Sequence, residues 1–327
     1  MSFRATGRHN DMTAPELTTE TAFGALTQRH RRELQVHCYR MLGSLDDAED
    51  LTQETFLRAW RFRETYAGRA SLRAWLYRIA TNACLDALER RPRVPAGNGE
   101  IAWLQPIPDE LLENVASDAD EPDVEAVARE TIELAFLVAL QHLPPRPRAV
   151  LIMRDVLGWR ARDTAELLET SEASVNSALQ RARAGLKEHL PAQRSEWSAD
   201  ASASDRALVA KYMAASESGD VDALKALFVE DLRFSMPPEP GLYVGRDTIA
   251  DFWAEGGFGD PERLGEFRCV LTYANRQPAV ANYVREPGSD RFAALALDVL
   301  TIAGGAITEI VTFEGRRFAS FGLPDAL

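Results

Sequence analysis

The chain is 327 residues long and 46% apolar, with 37 Lys and Arg against 50 Asp and Glu, a formal net charge of −13. That length predicts two or three domains, and the acidity excludes an indiscriminate nucleic-acid binder without excluding local basic faces. No apolar run approaches the roughly 20 residues that span a bilayer, and the N-terminal stretch with Arg4, Arg8, Asp11 and Glu16 has no signal-peptide core. The expectation is a cytoplasmic protein with no membrane partner. Cys38, Cys84 and Cys269 lie far apart with no CxxC or Cys/His cluster. They read as buried thiols in a reducing compartment, with no metal and no cofactor implied.

The charge is unevenly spread. Residues 1–96 carry a net +3, 97–134 a net −10, 135–199 a net +2 and 200–327 a net −8. In chain order, residues 1–17 read as a disordered N-terminus. A helical domain follows over 18–95. Phe23, Leu26, Leu34, Val36, Tyr39 and Leu42 fit one or two helices. "GSLDDAED" restarts a helix with Ser44 as its cap and acids in its first turn, and Ala48, Leu51, Thr55, Phe56, Ala59 and Trp60 carry the period onward. Ser71 can cap the next helix, "SLRAWLYRIATNACLDALERRPR". Its apolar stripe is Leu72, Trp75, Leu76, Ile79, Ala83 and Leu88, with Arg73, Tyr77, Arg78, Thr81, Asn82 and Arg90 largely off it.

Residues 96–128 form an acidic, Pro- and Gly-containing linker in which Trp103, Leu104, Ile107, Leu111 and Leu112 are too apolar for a mere spacer. Residues 129–190 return to helical periodicity. Prolines open a helix near 145, Gly158 ends it, a short helix spans about 161–168, and Ser171 caps another. In that last helix Val175, Ala178, Leu179, Ala182 and Leu186 face inward, while Ser174, Asn176, Ser177, Gln180, Arg181 and Arg183 lie wholly or partly outward. This is a helix-turn-helix layout. Short polar side chains suit close approach to a major groove and arginine suits phosphate or guanine, although a solvated helix in a bundle has the same pattern.

Residues 191–202 read as a second linker and 203–327 as a separate α+β domain. Two helices fall in 205–229, a helix in "GRDTIADFWAEG", and strands in "LRFSMP", "GEFRCVLTYANRQPAVANYVRE" and "RFAALALDVLTIAGGAITEIVTFEG". The expected form is a curved antiparallel sheet packed by helices around a pocket, with Trp253, Tyr273 and Asp298 as pocket candidates. No histidine follows His189, so histidine acid–base chemistry is absent there. Asp298 reads either as a pocket acid or as a bound strand-end or edge aspartate.

The helix-turn-helix array resembles region 4 of bacterial sigma-70 factors of the extracytoplasmic-function group, and "DDAEDLTQETFLRAWR" with "SLRAWLYRIATNACLDALERRPR" resembles region 2. "WLQPIPDELL" and "MPPEPGLYVGRD" are similar to a subgroup carrying a C-terminal SnoaL-like domain of the nuclear-transport-factor-like fold. The resemblance implies two all-α sigma domains followed by an α+β cone, and a non-enzymatic subunit that directs core RNA polymerase to promoter DNA. It implies a polymerase-binding face at Asp47, Asp50, Gln53 and Glu54, with the β′ clamp and the β flap as partners. It implies −10 contacts from Arg73, Trp75, Arg78, Asn82, Arg90, Arg91 and Arg93, with the loop 65–70 holding a flipped base. Trp75 is equally consistent with core packing. The −35 contacts would come from Ser174, Asn176, Ser177, Gln180, Arg181 and Arg183. The acidic linker would thread the polymerase cleft, and the C-terminal domain would regulate, with room for a small-molecule ligand. A pocket enzyme of isomerase, cyclase or hydrolase type fused to a DNA-binding module is the alternative. A plain helix-turn-helix repressor is a third reading, against which the region 2 pattern argues.

Overall fold

A computed structural model describes residues 20–66, 71–91, 101, 103–112, 132–190 and 203–327. The expected disordered N-terminus, most of both linkers, the loop residues 67–70 and Arg93 lie outside the described residues.

The first helix, α1 (Glu20–Leu42), is continuous rather than split. It stops at Gly43, whose φ of +69° suits a helix C-terminus that glycine alone adopts without cost. A Cβ there would also meet the Gln141 side chain at 3.0 Å. Helix α2 (Leu45–Arg61) begins at once, its first turn capped as expected by Ser44, whose Oγ accepts from the Asp47 amide. Such a cap contributes about 1 kcal/mol. Helix α3 (Leu72–Arg90) is capped by Ser71 in the same way. One expectation fails here: Tyr77 and Thr81, placed off the apolar stripe, are buried. Two faces of α3 are covered instead of one. His37 of α1 packs its ring tilted against Tyr77 at 4.9 Å and hydrogen-bonds Thr81, and the Trp159 ring meets Tyr77 at 5.3 Å.

Trp159 belongs to the second helical group: α4 (Leu134–His142), α5 (Pro145–Leu151), continued by a π-helical turn (Ile152–Val156), α6 (Ala161–Leu167) and α7 (Glu172–His189). Gly158, at φ +68°, ends the second of these as expected, and Ser171 caps the last. The two groups share one core. Arg148 sits at its centre, donating to the carbonyls of Met41, Gln141 and Leu143 and to the Gln141 side chain. Burial, then the neighbouring Arg91 charge, lowers its pKa to about 9.

The C-terminal part carries α8 (Ala203–Ser218), α9 (Val221–Lys225) and α10 (Arg246–Glu255). Its strands are β1 (Phe228–Ser235), β2 (Leu242–Val244), β3 (Glu266–Ala274), β4 (Gln277–Arg285), β5 (Ala293–Ala303) and β6 (Ala306–Glu314). They form one sheet in the order β2-β1-β6-β5-β4-β3. The expected antiparallel sheet is corrected to a mixed one: β1 runs parallel to β6 while the other pairs are antiparallel. Alternation within a strand reports which face is buried, not which neighbour it takes. One face of the sheet packs on α8–α10 through Val209, Tyr212, Phe228, Ile249, Val280 and Leu300. The other, bearing Ala279, Ala281, Leu297, Val299 and Phe313, is continuous with the core of the N-terminal helices. Burial on both faces is why β4 shows no alternation.

Candidate functional site

On α2 the sequence-predicted residues separate into two sets. Asp47, in the first turn, accepts from Arg91, whose other nitrogen donates to the Leu42 carbonyl at 2.7 Å and whose guanidinium lies over Trp103 at 5.1 Å. The polymerase-face candidate and the DNA candidate are thus partners in a helix-to-helix staple. Its neighbour Asp46 is gripped bidentately by Arg317 of the C-terminal domain (2.8 and 2.8 Å). That hydrogen bond, more than its opposing partial burial, holds the Asp46 carboxyl below the usual range. Asp50 and Gln53 are exposed, and Glu54 pairs with Arg58 at 2.7 Å, which also reaches Asp86. Beside them stands Leu57, 65% exposed, with Phe62, 49% exposed, just past the helix end. Asp50, Gln53, Glu54 and Leu57 recur at three and four residues and so share one face. Sequence reasoning missed Leu57 and Phe62. The signal was present, since Leu57 is apolar yet falls off the buried positions Ala48, Thr52, Thr55, Phe56 and Ala59.

On α3, Arg73 donates to Glu33 of α1 at 2.7 Å and lies over the Tyr77 ring. Burial works to raise the pKa of Glu33, but the hydrogen bonds from His30 and Arg73 and the Arg73 charge outweigh it, and the net shift is downward. Trp75 is half-buried against Tyr66 at 5.2 Å. Arg78 pairs with Glu169 of the second helical group, so a basic side chain of α3 is occupied from across the molecule. Asn82 and Arg90 are exposed.

On α7 the cap fixes the presenting end. Ser171 accepts from the Ser174 amide at 3.1 Å and donates to the Ser174 hydroxyl at 2.9 Å. Val175, Ala178, Leu179 and Ala182 are buried, which aims Ser174, Asn176, Ser177, Gln180 and Arg181 at solvent. Arg183 is held by a two-pronged pair with Asp155 at 2.7 and 2.9 Å.

In the C-terminal domain Asp298 stands on β5, inside the sheet rather than at an edge. Its carboxylate accepts from Tyr212 (2.9 Å), Asn282 (2.5 Å) and Thr312 (2.6 Å). Burial raises its pKa and those bonds oppose the rise. It is a bound aspartate that accepts three hydrogen bonds from the protein's own donors. Trp253 is half-buried edge-on to Phe234 at 5.3 Å, and Tyr273 is half-buried on β3. Among the described contacts none joins the three candidates to one another. Among the described residues no group of three or more His, Cys, Asp or Glu is arranged to hold a metal ion, and no helix is long and apolar enough to cross a membrane.

An acid-led amphipathic helix, a helix carrying arginines and aromatics, and a capped helix-turn-helix thus stand in order along the chain, and comparison with known proteins gives their class. Residues 26–94 match the family described as Sigma-70 region 2, residues 133–186 Sigma-70 region 4, and residues 209–310 the SnoaL-like domain. The ECF RNA polymerase sigma factor SigG of Mycobacterium tuberculosis (strain H37Rv) is 42% identical over 322 residues, covering 93% of this chain and 85% of that protein. SigJ of the same organism is 31% identical over 205 residues, 63% of this chain and 62% of that protein. The crystal structure of Mycobacterium tuberculosis SigJ shares the fold, with a TM-score of 0.59 at 22% identity, over 92% of this chain and 99% of that one. The chain belongs to the extracytoplasmic-function sigma factors, with a C-terminal SnoaL-like domain. It is a transcription factor of the RNA polymerase system and not an enzyme.

Proposed function

We propose that this chain binds core RNA polymerase through the exposed strip of α2, formed by Asp50, Gln53, Glu54 and Leu57 with Phe62 at its end, against the β′ clamp. The observation that carries this reading is Leu57, a large apolar side chain left open beside a row of acids. Such a mixture suits a binding site with an apolar centre and a charged rim. Asp47 supports the same surface indirectly, by fixing the end of α3 through Arg91. Region 4 would meet the β flap and place α7 in the major groove of the −35 element. Ser174, Asn176, Ser177 and Gln180 are short enough to approach base edges, with Arg181 beside a phosphate. Asn82 and Arg90 of α3 are free to meet the −10 element. Arg73, Arg78 and Trp75 would join them once their present partners are released. The site of action is the cytoplasm, where the polymerase works.

The C-terminal domain tunes this activity rather than performing catalysis. The engagement of Asp298 supports that assignment, since hydrogen bonds from Tyr212, Asn282 and Thr312 stabilise the carboxylate and make it a weaker base. A small molecule bound near Trp253 and Tyr273 would shift the balance between arrangements by its differential affinity for them. The test is a pull-down with core polymerase and a run-off transcription assay. Leu57→Glu, or the pair Asp50→Lys and Glu54→Lys, should abolish capture while leaving helicity unchanged. Capture at the wild-type level by a folded variant would refute the assignment of α2.

A further inference from the structure

An acid stands beside the helix that would meet DNA. Asp155 lies in the π-helical turn Ile152–Val156 that continues α5. A turn of this kind takes in one residue more than an α-helical turn. Ile152, Met153 and Val156 are buried, while Arg154 and Asp155 are half-buried. The Leu157 amide donates to the Ile152 carbonyl (3.0 Å) and the Trp159 amide to the Met153 carbonyl (2.9 Å). Arg154 donates to the Trp159 carbonyl from outside. Asp155 is thus carried on a segment tied by its own backbone bonds and by three buried neighbours.

Its carboxylate takes Arg183 of α7 side-on. Nε donates to Oδ2 at 2.9 Å and Nη2 to Oδ1 at 2.7 Å. A guanidinium has five N–H donors in a planar fork. The pair uses the one on Nε and one on Nη2, which leaves the outer edge, Nη1 with the second Nη2 hydrogen, for another acceptor. The Arg183 side chain stays 60% exposed although paired, against 23% for Asp155, so that edge is open to solvent. Its place on α7 gives the edge a direction. Positions two apart lie about 200° apart around a helix axis, so Arg181 and Arg183 stand on opposite flanks. Ser177 and Gln180 lie between them on the exposed side, and Val175, Ala178, Leu179 and Ala182 on the buried side. A helix lying in a major groove has one phosphate strand along each flank. The two arginines therefore answer to opposite strands, and a fixed guanidinium edge matches two phosphate oxygens.

We infer that Asp155 is a positioning residue for promoter binding. It holds Arg183 side-on so that the outer guanidinium edge meets one phosphate, on the strand opposite the one that Arg181 meets. This rests on the reading of α7 as the helix in the −35 groove. Without Asp155 the arginine keeps its charge and loses its direction, and the ordering of a long side chain then falls on the binding step. Electrostatics alone makes the opposite forecast, because deleting an acid beside a polyanion strengthens the attraction. The sign of the effect separates the two.

The test measures binding of the full chain, assembled with core polymerase, to a promoter fragment selected by that holoenzyme from a pool randomised over the −35 element. Copies of the fragment carry single neutral methylphosphonates in place of phosphates. Asp155→Asn keeps the size of the side chain and one acceptor, and should weaken binding about two- to tenfold. With the wild-type chain, one methylphosphonate penalty should be the one that Arg183→Ala abolishes. That penalty should shrink in Asp155→Asn, while those on the opposite strand, erased by Arg181→Ala, persist. Unchanged or tighter binding by a folded Asp155→Asn chain overturns the proposal. So does weaker binding with every penalty unchanged, or with all of them lowered alike, which is what loosening α7 as a whole gives. Arg183→Lys is the second variant, made at an exposed side chain and keeping the charge without the fork. It should lose the same single penalty, and a penalty left intact overturns the proposal even where Asp155→Asn does not fold. Penalties erased by Arg181→Ala but by no variant of Arg183 sink the proposal and leave α7 in the groove. Penalties altered by neither arginine sink the reading of α7 and the proposal with it.

Discussion

His37 is buried between α1 and α3, bonded through Nε2 to Thr81 and packed against the tilted ring of Tyr77. Burial, reinforced by the nearby Arg40 charge and opposed by Glu33, lowers its pKa from 6.5 to about 3. The folded value lies below the unfolded one, so the unfolded chain binds the proton first as pH falls. The stability His37 contributes is present above about pH 6.5 and drains away toward pH 3, at up to about 1.4 kcal/mol per pH unit. Urea unfolding followed from neutral pH downward should show this slope. His37→Gln, which can keep the bond to Thr81, should flatten it, and equal slopes in the two proteins would contradict the assignment. Asp298 makes the opposite case. Removing its carboxylate with Asp298→Ala strands three buried donors and should cost about 3 kcal/mol of stability. Thermal unfolding checks this, and a loss of transcriptional control at unchanged stability would instead point to a ligand-binding role.

At the scale of elements, α7 offers a clean separation of phosphate contact from base reading. Arg181 is exposed on a helix whose opposite face is buried. Arg181→Ala should weaken promoter binding about uniformly across sequences and flatten the salt dependence by a slope of about one. Altered preference at a single base would mark Arg181 as a reader, and no change in affinity, slope or preference would remove α7 from the interface. Helix existence and caps were legible in the sequence because both are local: Ser44, Ser71 and Ser171 each cap the helix they were expected to cap. The second buried face of α3 was not legible. Tyr77 and Thr81 are polar enough to sit outside, and their cover, His37 and Trp159, comes from 40 or more positions away. The parallel β1–β6 pairing was hidden for the same reason, since strand partners are chosen by tertiary packing.

Across the whole molecule, the family motifs made the order of domains readable, and the apolar content of Trp103, Leu104 and Ile107 marked the linker as more than a spacer. What it docks between could not be read, because the groove is made jointly by α1, the start of α2 and a hairpin tip from the other end of the chain. The same long-range closure pairs Arg78 with Glu169 and Asp46 with Arg317, so several charges that look free in the sequence are spoken for in the fold. The most direct measurement is promoter-specific run-off transcription by purified core polymerase supplied with this chain or its Leu57→Glu variant. The expected result is a discrete transcript that depends on the added chain and vanishes with Leu57→Glu. A transcript equally strong with Leu57→Glu, or none from either on templates that the same core reads with another sigma factor, would contradict the account.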